Sequence, residues 1–416
     1  MNYCVSEKQV LYKMPKVFEG VKVADFAWVM VGPMGSRYLA DYGATVIHVE
    51  TASHIEILRS TPPYKDGVIG VDRAGYFAQY NVNKYGITLN LNHPKGVEVA
   101  KKLIAWADVV TESFTPGTME KWGLGYEEVK KIKPDIIMLR TCMQGQTGPH
   151  AHLSGTGVNL VGITGFAHLC GWPDRDPAQP YGPYTDSVAA RFCTAMLIAA
   201  LDYRRKTGRG QLLDVSQFEG GVKFIAPVML DYFVNHRVAG RVGNYCPHAA
   251  PHNAYRCRGE DRWCTIAVFS DDEWQAFCRV IGNPSWTKET KFTTLAGRKE
   301  HESELDCLVE EWTINHTAEE VMTMMQKEGV AAGIVQTGQD LHEDPQLKHR
   351  GHSWIINHRE MGPFPYFGQA ARLSKTPAEG RMPSPCLGEH TEYVCREILK
   401  LSDEEFVELL IDGVFE

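Results

Sequence analysis

Residues 21–50 read VKVADFAWVMVGPMGSRYLADYGATVIHVE. The apolar run Val21–Trp28 is predicted to be a strand, and Gly32 and Pro33 break the pattern after it. Met34–Gly43 then carries a short helical pattern, and Ala44–Glu50 is predicted to be a second strand. Strand, glycine-containing turn, helix and strand within about 30 residues make a βαβ unit. Parallel strands need such a crossover, so this stretch commits the chain to an α/β fold.

The alternation continues downstream. Pro94–Ala107 fits a helix, Ala107–Phe114 a strand ending in polar residues, Gly125–Ile132 a helix, and Pro134–Gly145 a strand that runs into a glycine-rich turn. A long helix with a basic end is predicted over Ser187–Lys206, and a further strand over Leu212–Gly220. At least five β-like runs separated by helices predict an open sheet that holds ligands beyond its C-terminal strand ends. The composition changes near residue 225. Residues 225–245 read as partly helical, Tyr255–Ser270 as a hairpin turning at RGED, Asp271–Gly282 and 301–329 as helices, and Gly329–Leu341 as a short strand and turn. The expected division is 1–224, a smaller α/β domain at 225–330, and 331–416 completing the large domain. The first twenty residues read as an irregular lead-in.

With 416 residues, 44% apolar and 23% charged, the chain has the make-up of a globular protein of two or three domains. Lys and Arg total 43 against 51 Asp and Glu, a net charge of −8, and no basic stripe interrupts that balance, so nucleic acid is not an expected partner. No apolar run is long enough to span a bilayer, and the first residues carry charges where a signal peptide has its apolar core. The eleven cysteines are irregularly spaced with no CxxC pair, which argues against a Cys₄ metal site and for reduced thiols in the cytosol. His150, His152, His349 and His352 fall at loop positions and no HExxH occurs, so no metal is expected. Glu50 stands where a dinucleotide-binding fold places its ribose contact, but VGPMG is not GxGxxG, and NAD or FAD is not expected.

Four segments place polar groups at expected strand ends or helix starts. The turn at Gly32 and Pro33 either aims N–H groups at an anion or only packs tightly. NVNKYG at 81–86, with NLN at 90–92, offers Asn and Lys to a phosphate or a base edge. TCMQGQTGP at 141–149 combines close backbone approach with Gln144 and Gln146. In YGPYTDSVAARF, at 181–192, Asp186 follows a Gly/Pro loop and opens a helix of small residues. A carboxylate there is often a cap. Small neighbours (Ser187, Ala189 and Ala190) leave room for an acyl group, and a carboxylate can attack an activated electrophile such as a thioester.

These stretches, with ADVVTESFTPGTMEKWGLGYEEV (107–129), YTDSVAARFCTAMLIAALDYRRKTGRGQLLDVS (184–216), DPQLKHRG (344–351) and LGEHTEYVCREIL (387–399), resemble the class III CoA-transferases in order over nearly the whole chain. That family includes formyl-CoA, carnitine and bile-acid CoA-transferases. The resemblance implies a Rossmann-like large domain built from both chain ends, a smaller central domain, and two interlocked chains, in a homodimer or a heteromer of related subunits. It places Asp186 on the catalytic aspartate, which would carry first the acyl group as an anhydride and then CoA as a thioester. Coenzyme A enters as acyl-CoA substrate, with no metal and no tightly bound cofactor.

For CoA contacts the resemblance points to Val29, Met30 and Val31, to Asn83 and Lys84, and to Ser113 and Phe114. Lys84 is the expected phosphate contact; Arg59, Lys121, Met143 and Gln144 are looser candidates. Three departures from the family pattern stand out: Ser113 where the family often has Asn, Lys121 where it often has Arg, and Met143 where some members have Lys. A GGGG-type loop is absent from residues 238–254. Trp28, Met30, Tyr181, Tyr184, Phe192 and Tyr245 favour a bulky or aromatic acid acceptor, and His150, Arg191 and Arg241 are candidate partners for a second carboxylate. Benzylsuccinate with succinyl-CoA as donor, in anaerobic metabolism, is one specific expectation. Two alternatives stay open: an acyl-CoA racemase using His150 or His152 with Asp186, and a non-catalytic subunit of a CoA-transferase complex.

Overall fold

In the computed structural model, which describes residues 15–416, the run after Val21 forms β1 (Lys22–Asp25) and leads through a turn into α1 (Val31–Asp41) and β2 (Thr45–Glu50). Most of the expected lead-in lies outside the described residues. The chain continues through α2 (Gly75–Asn81), β3 (Tyr85–Thr88), α3 (Pro94–Trp106), β4 (Val109–Glu112), α4 (Thr118–Lys121), α5 (Tyr126–Ile132) and β5 (Ile137–Cys142). Next come α6 (Gly157–Ile163), α7 (Phe166–Leu169), α8 (Tyr184–Thr207), β6 (Leu212–Ser216), α9 (Gln217–Phe224) and α10 (Ala226–Asn235).

The six strands form one parallel sheet in the order β3-β2-β1-β4-β5-β6. This is the order of dinucleotide-binding α/β folds, whose topological switch lies between the first and fourth strands. Alternate side chains of each strand face opposite ways. Ala24, Ile47 and Val110 pack under Val99, Ala100, Leu103 and Ile104 of α3. Their neighbours Val23, Val46 and Val109 pack under Leu39 and Ala40 of α1 and Ala189, Ala190, Cys193 and Leu197 of α8. Both faces are thus covered, which is why β4 and β5 are buried at every residue and read as continuous apolar runs.

The expected strand through Gly220 stops at Ser216, whose hydroxyl accepts a hydrogen bond from the Glu219 N–H and caps α9. The composition near residue 225 marks no boundary at that point. Among the described residues the larger unit comprises 15–167, Gln179–Val238 and Lys348–Glu416, and the smaller one His168–Ala178 with Ala239–Leu347.

In the smaller unit β7 (His252–Arg256), β8 (Trp263–Ala267) and β9 (Ala331–Ile334) form an antiparallel sheet in that order. Tyr255, Trp274, Phe277 and Phe292 fill its core. Capping boxes at Ser270 and Thr317 start two of its helices. Back in the larger unit, β10 (Ser353–His358) and β11 (Gly362–Phe367) make a hairpin that packs Met361 and Tyr366 against Ala78 and Val82. Among the described residues no helix is long and apolar enough to cross a membrane, and ten cysteines are free thiols.

Candidate active site

The turn between β1 and α1 is held from three sides. The Trp28 N–H donates to Ser113 Oγ at 2.9 Å, and that hydroxyl donates to the Trp28 carbonyl. The Trp28 indole N–H donates to the Val49 carbonyl at 2.9 Å. The Val29 N–H donates to Glu56 Oε1 at 2.8 Å. These bonds hold Val29 in the left-handed region, at φ 70°, which a β-branched residue rarely adopts. At Gly32 any side chain would start 2.2 Å from the Ala27 Cβ, so glycine is what lets α1 begin so close to the turn.

Asp186 lies in the first turn of α8, only 6% exposed, and its Oδ1 is buried with no hydrogen-bond partner. Burial pushes its pKa up to about 7, and no neighbouring cation offsets that shift. A capping carboxylate would accept backbone N–H groups; this oxygen accepts none. It sits against Gly157, the first residue of α6, where a Cβ would come within 2.4 Å of Oδ1. Asp186 borders a cavity of about 300 Å³ that is also walled by Trp28, Met30, Ser113, Cys142, Met143 and Gln217. A second cavity, of about 400 Å³, shares Trp28 and is walled by Phe26, Leu89, Asn90, Asn92, Phe114 and Trp122. Phe114 stands edge-on to both Trp28 and Trp122 at 5.6 and 5.5 Å. These residues lie at or beyond the carboxyl ends of the parallel strands, apart from Asp186 on α8, Gly157 on α6 and Trp122 beside α4.

The sequence profile of CoA-transferase family III matches residues 18–391. The chain belongs to CoA-transferase family III. It is 31% identical over 395 residues, 95% of this chain and 97% of the relative, to the succinyl-CoA–D-citramalate CoA-transferase of Chloroflexus aurantiacus. It is 28% identical to the succinyl-CoA:glutarate CoA-transferase of Homo sapiens, over 96% of this chain and 90% of that one. A CAIB/BAIF family protein from Brucella suis superposes with a TM-score of 0.85 at 29% identity, covering 92% of this chain and all of that one. The chain is therefore an enzyme of the CoA-transferase class, and its substrates include an acyl-CoA.

Of the residues expected to serve this CoA-transferase, Val29, Met30, Val31, Ser113, Met143 and Asp186 all border the first cavity, and Phe114 borders the second. Gln144 borders neither, and Lys121 is exposed beside Trp122.

Three expectations need correction. Lys84 is fully buried, with its ammonium donating to Asp25 Oδ2 at 2.8 Å, the Pro33 carbonyl at 2.9 Å and Asn81 Oδ1 at 2.9 Å. All three protons are used, so none reaches a phosphate. Asn83 donates to Asp41 and the Glu379 carbonyl and accepts from Arg381 and Met382, tying the C-terminal segment to α1. Arg59 is buried against both oxygens of Glu50 and against Asp72, with its guanidinium over the Phe77 ring. Glu50 is thereby consumed as well.

The buried charges form one chain. His48 bridges Asp25 and Glu56 at 3.3 Å each. Burial alone would lower its pKa, but those carboxylates push it up to about 9. Burial alone would raise Asp25, yet Lys84 and His48 hold it well below the usual carboxylate range. His48, Glu50 and Glu56 lie close enough to share an ion, and in this structure His48 is held between the Asp25 and Glu56 carboxylates.

Two site residues escaped the sequence reading. Glu56 fixes Val29 from 27 residues away, and Gly157 seats Asp186. The Gly155–Thr156–Gly157 triplet was the only visible signal of the second. His150 and His152 are exposed in the turn after β5 and border neither cavity. Of the six aromatic and soft residues expected around the acceptor, Trp28 and Met30 wall the first cavity, whereas Tyr181 is 96% exposed.

Proposed function

We propose that Asp186 is the nucleophile of a transferase that takes CoA from succinyl-CoA to a small dicarboxylic acid. The supporting observation is a buried carboxyl with a partnerless Oδ1, on a residue that borders a cavity sharing Trp28 with an aromatic one. The aromatic cavity suits the nucleotide end of CoA, with Trp122 and Phe114 as ring walls and Asn90 and Asn92 as hydrogen-bonding groups. The succinyl donor and the diacid acceptor follow the relatives, whose names give citramalate and glutarate. Benzylsuccinate is itself a diacid and stays in the class.

The chemistry needs no net proton transfer. A carboxylate oxygen of Asp186 attacks the donor thioester carbonyl, the C–S bond breaks, and CoA leaves as thiolate. The thiolate attacks the Asp186 carbonyl of the resulting anhydride, the C–O bond breaks, and succinate leaves. The acceptor carboxylate attacks this aspartyl thioester and expels the thiolate. That thiolate attacks the acceptor carbonyl and frees the Asp186 carboxylate. Each covalent intermediate is neutral at Asp186, so the cost of its buried charge falls away as the first bond forms.

The enzyme pairs with a second copy or a related subunit. Supporting this, α10 buries none of its residues although Met229, Leu230, Phe233 and Val234 are apolar, and Phe233 is 80% exposed. The free thiols fit a reducing, cytosolic setting. The test is an acceptor screen with succinyl-CoA, reading new CoA esters by mass. A diacid CoA ester from wild type and none from Asp186→Ala supports the reading. Equal turnover by both proteins overturns it.

A further inference from the structure

Among the described residues, the cavity that Asp186 borders is lined by no cationic side chain, and Asp186 is the one charged residue in its wall. None of the cations that the sequence offered, His150, Arg191 and Arg241, borders it. Of the side chains in that wall, only neutral donors can meet the negative charge that develops when a thioester is attacked. Most of its hydroxyls are already engaged. Ser113 exchanges hydrogen bonds with the Trp28 backbone, Thr115 pairs with Thr118, and Thr156 donates to Asn159 Oδ1. Gln217 differs. It is the first residue of α9, it is only 9% exposed, and its side chain makes no hydrogen bond among the described residues. An amide buried this far without a partner is unfavourable for the fold alone, and it calls for a functional reason.

Helix packing brings Gln217 to Asp186. Residues three and four apart share a helix face, so Gln217 lies on the face of α9 that carries Gly220 and Gly221. That face meets the start of α8. A Cβ on Gly221 would stand 3.2 Å from Thr185 Cγ2, and one on Gly220 would stand 3.9 Å from the Ala189 Cα. Thr185 adjoins Asp186 in the chain, and Ala189 lies three residues after it, on the same face of α8. Gln217 and Asp186 therefore stand on two helix faces that pack together, and they border one cavity.

We propose that Gln217 is a catalytic residue whose side-chain amide donates to the oxyanion formed when Asp186 attacks the thioester. Attack forms the bond from the Asp186 oxygen to the thioester carbon and moves the carbonyl π pair onto oxygen. Return of that pair breaks the C–S bond and expels CoA as thiolate, while the amide protons stay on nitrogen. A neutral donor suits a site built round an unpaired carboxylate, because a cation there would pair with Asp186 and hold its electron pairs. The inference rests on Asp186 as the acyl carrier.

The test mixes wild type, Gln217→Met and Gln217→Glu with succinyl-CoA for a single turnover. The rate of Asp186 acylation is read by hydroxylamine trapping and peptide mass spectrometry. Gln217→Met keeps the side-chain length and removes both donors. It should label Asp186 about 100- to 1,000-fold more slowly than wild type, with an unchanged Kd for free CoA. Because no hydrogen bond is lost, its urea midpoint should equal or exceed that of wild type. Gln217→Glu keeps the shape and replaces the donors with an anion, so it should be slowed at least as much at pH 8.5. Labelling by either variant at the wild-type rate overturns the proposal. A lower urea midpoint for Gln217→Met also overturns it, as does a rise in its Kd that matches the loss of rate, since these mark a structural or a binding role. Turnover by wild type with no label on Asp186 overturns the carrier itself, and this inference with it.

Discussion

Replacing Asp186 with Asn removes a buried charge that nothing nearby compensates. The carboxyl titrates near 7 in the folded chain and at its ordinary 3.8 when exposed. A group raised in this way lets the folded state bind a proton that the unfolded state has lost. Wild-type stability therefore falls as pH rises from about 4 and stops falling above about 7. The cost of the charge is about 1.5 kcal/mol at pH 5 and about 4 kcal/mol at pH 8.5. The Asn amide carries its own burial cost, but that cost does not change with pH. The stability difference between Asp186→Asn and wild type should therefore move in favour of the variant by about 2–3 kcal/mol between pH 5 and pH 8.5. Paired urea melts at the two pH values, following the larger unit by intrinsic fluorescence, measure it. A difference that stays constant with pH, or that moves toward wild type at high pH, would refute the claim that Asp186 is buried without a counter-charge.

Gly157→Ala should keep the fold, since alanine suits a helix start better than glycine, yet it places a Cβ 2.4 Å from Asp186 Oδ1 and from the Pro183 Cβ. A displacement approaching 1 Å at a reacting group is expected to lower kcat by about tenfold to a hundredfold with KM for succinyl-CoA near wild type, and steady-state kinetics decides it. Trp122→Ala and Phe114→Ala should raise the Kd for free CoA, each by about five- to thirtyfold through lost ring contacts, while leaving Asp186 reactive. Calorimetric titration with CoA checks this. Lys84→Met removes one of the two cations facing the buried Asp25 carboxylate, leaving His48, and should cost up to about 3–5 kcal/mol in urea melts. Any folded Lys84→Met protein at low temperature should bind CoA as wild type does, which separates a structural lysine from a phosphate ligand.

The parallel sheet was legible because its central strands are buried on both faces, so β1, β2, β4 and β5 stand out as apolar runs. β3 was not, because NVNKYG carries the polarity of a ligand loop. Its lysine is buried against Asp25, 59 residues earlier, and a single sequence does not show that pairing. Arg59 and Asn83 misled for the same reason: a buried cation or amide looks free until its partners are placed around it. The hairpin of β10 and β11 was hidden by Pro363 and Pro365, which read as strand breakers but are tolerated where a strand has an unpaired edge. Asp186 was legible because a Gly/Pro loop and small helical neighbours flag it locally. Its seat at Gly157 was not, since it lies 29 residues earlier and only folding brings the two together.

The central claim is a covalent bond at one carboxyl. Wild-type enzyme mixed with succinyl-CoA, quenched within a turnover and digested, is read by peptide mass spectrometry after trapping with hydroxylamine. The account expects the peptide carrying Asp186 to gain a hydroxamate, and expects no such gain when succinyl-CoA is omitted. Full turnover with an unmodified Asp186 peptide, or a label on another residue, would contradict it.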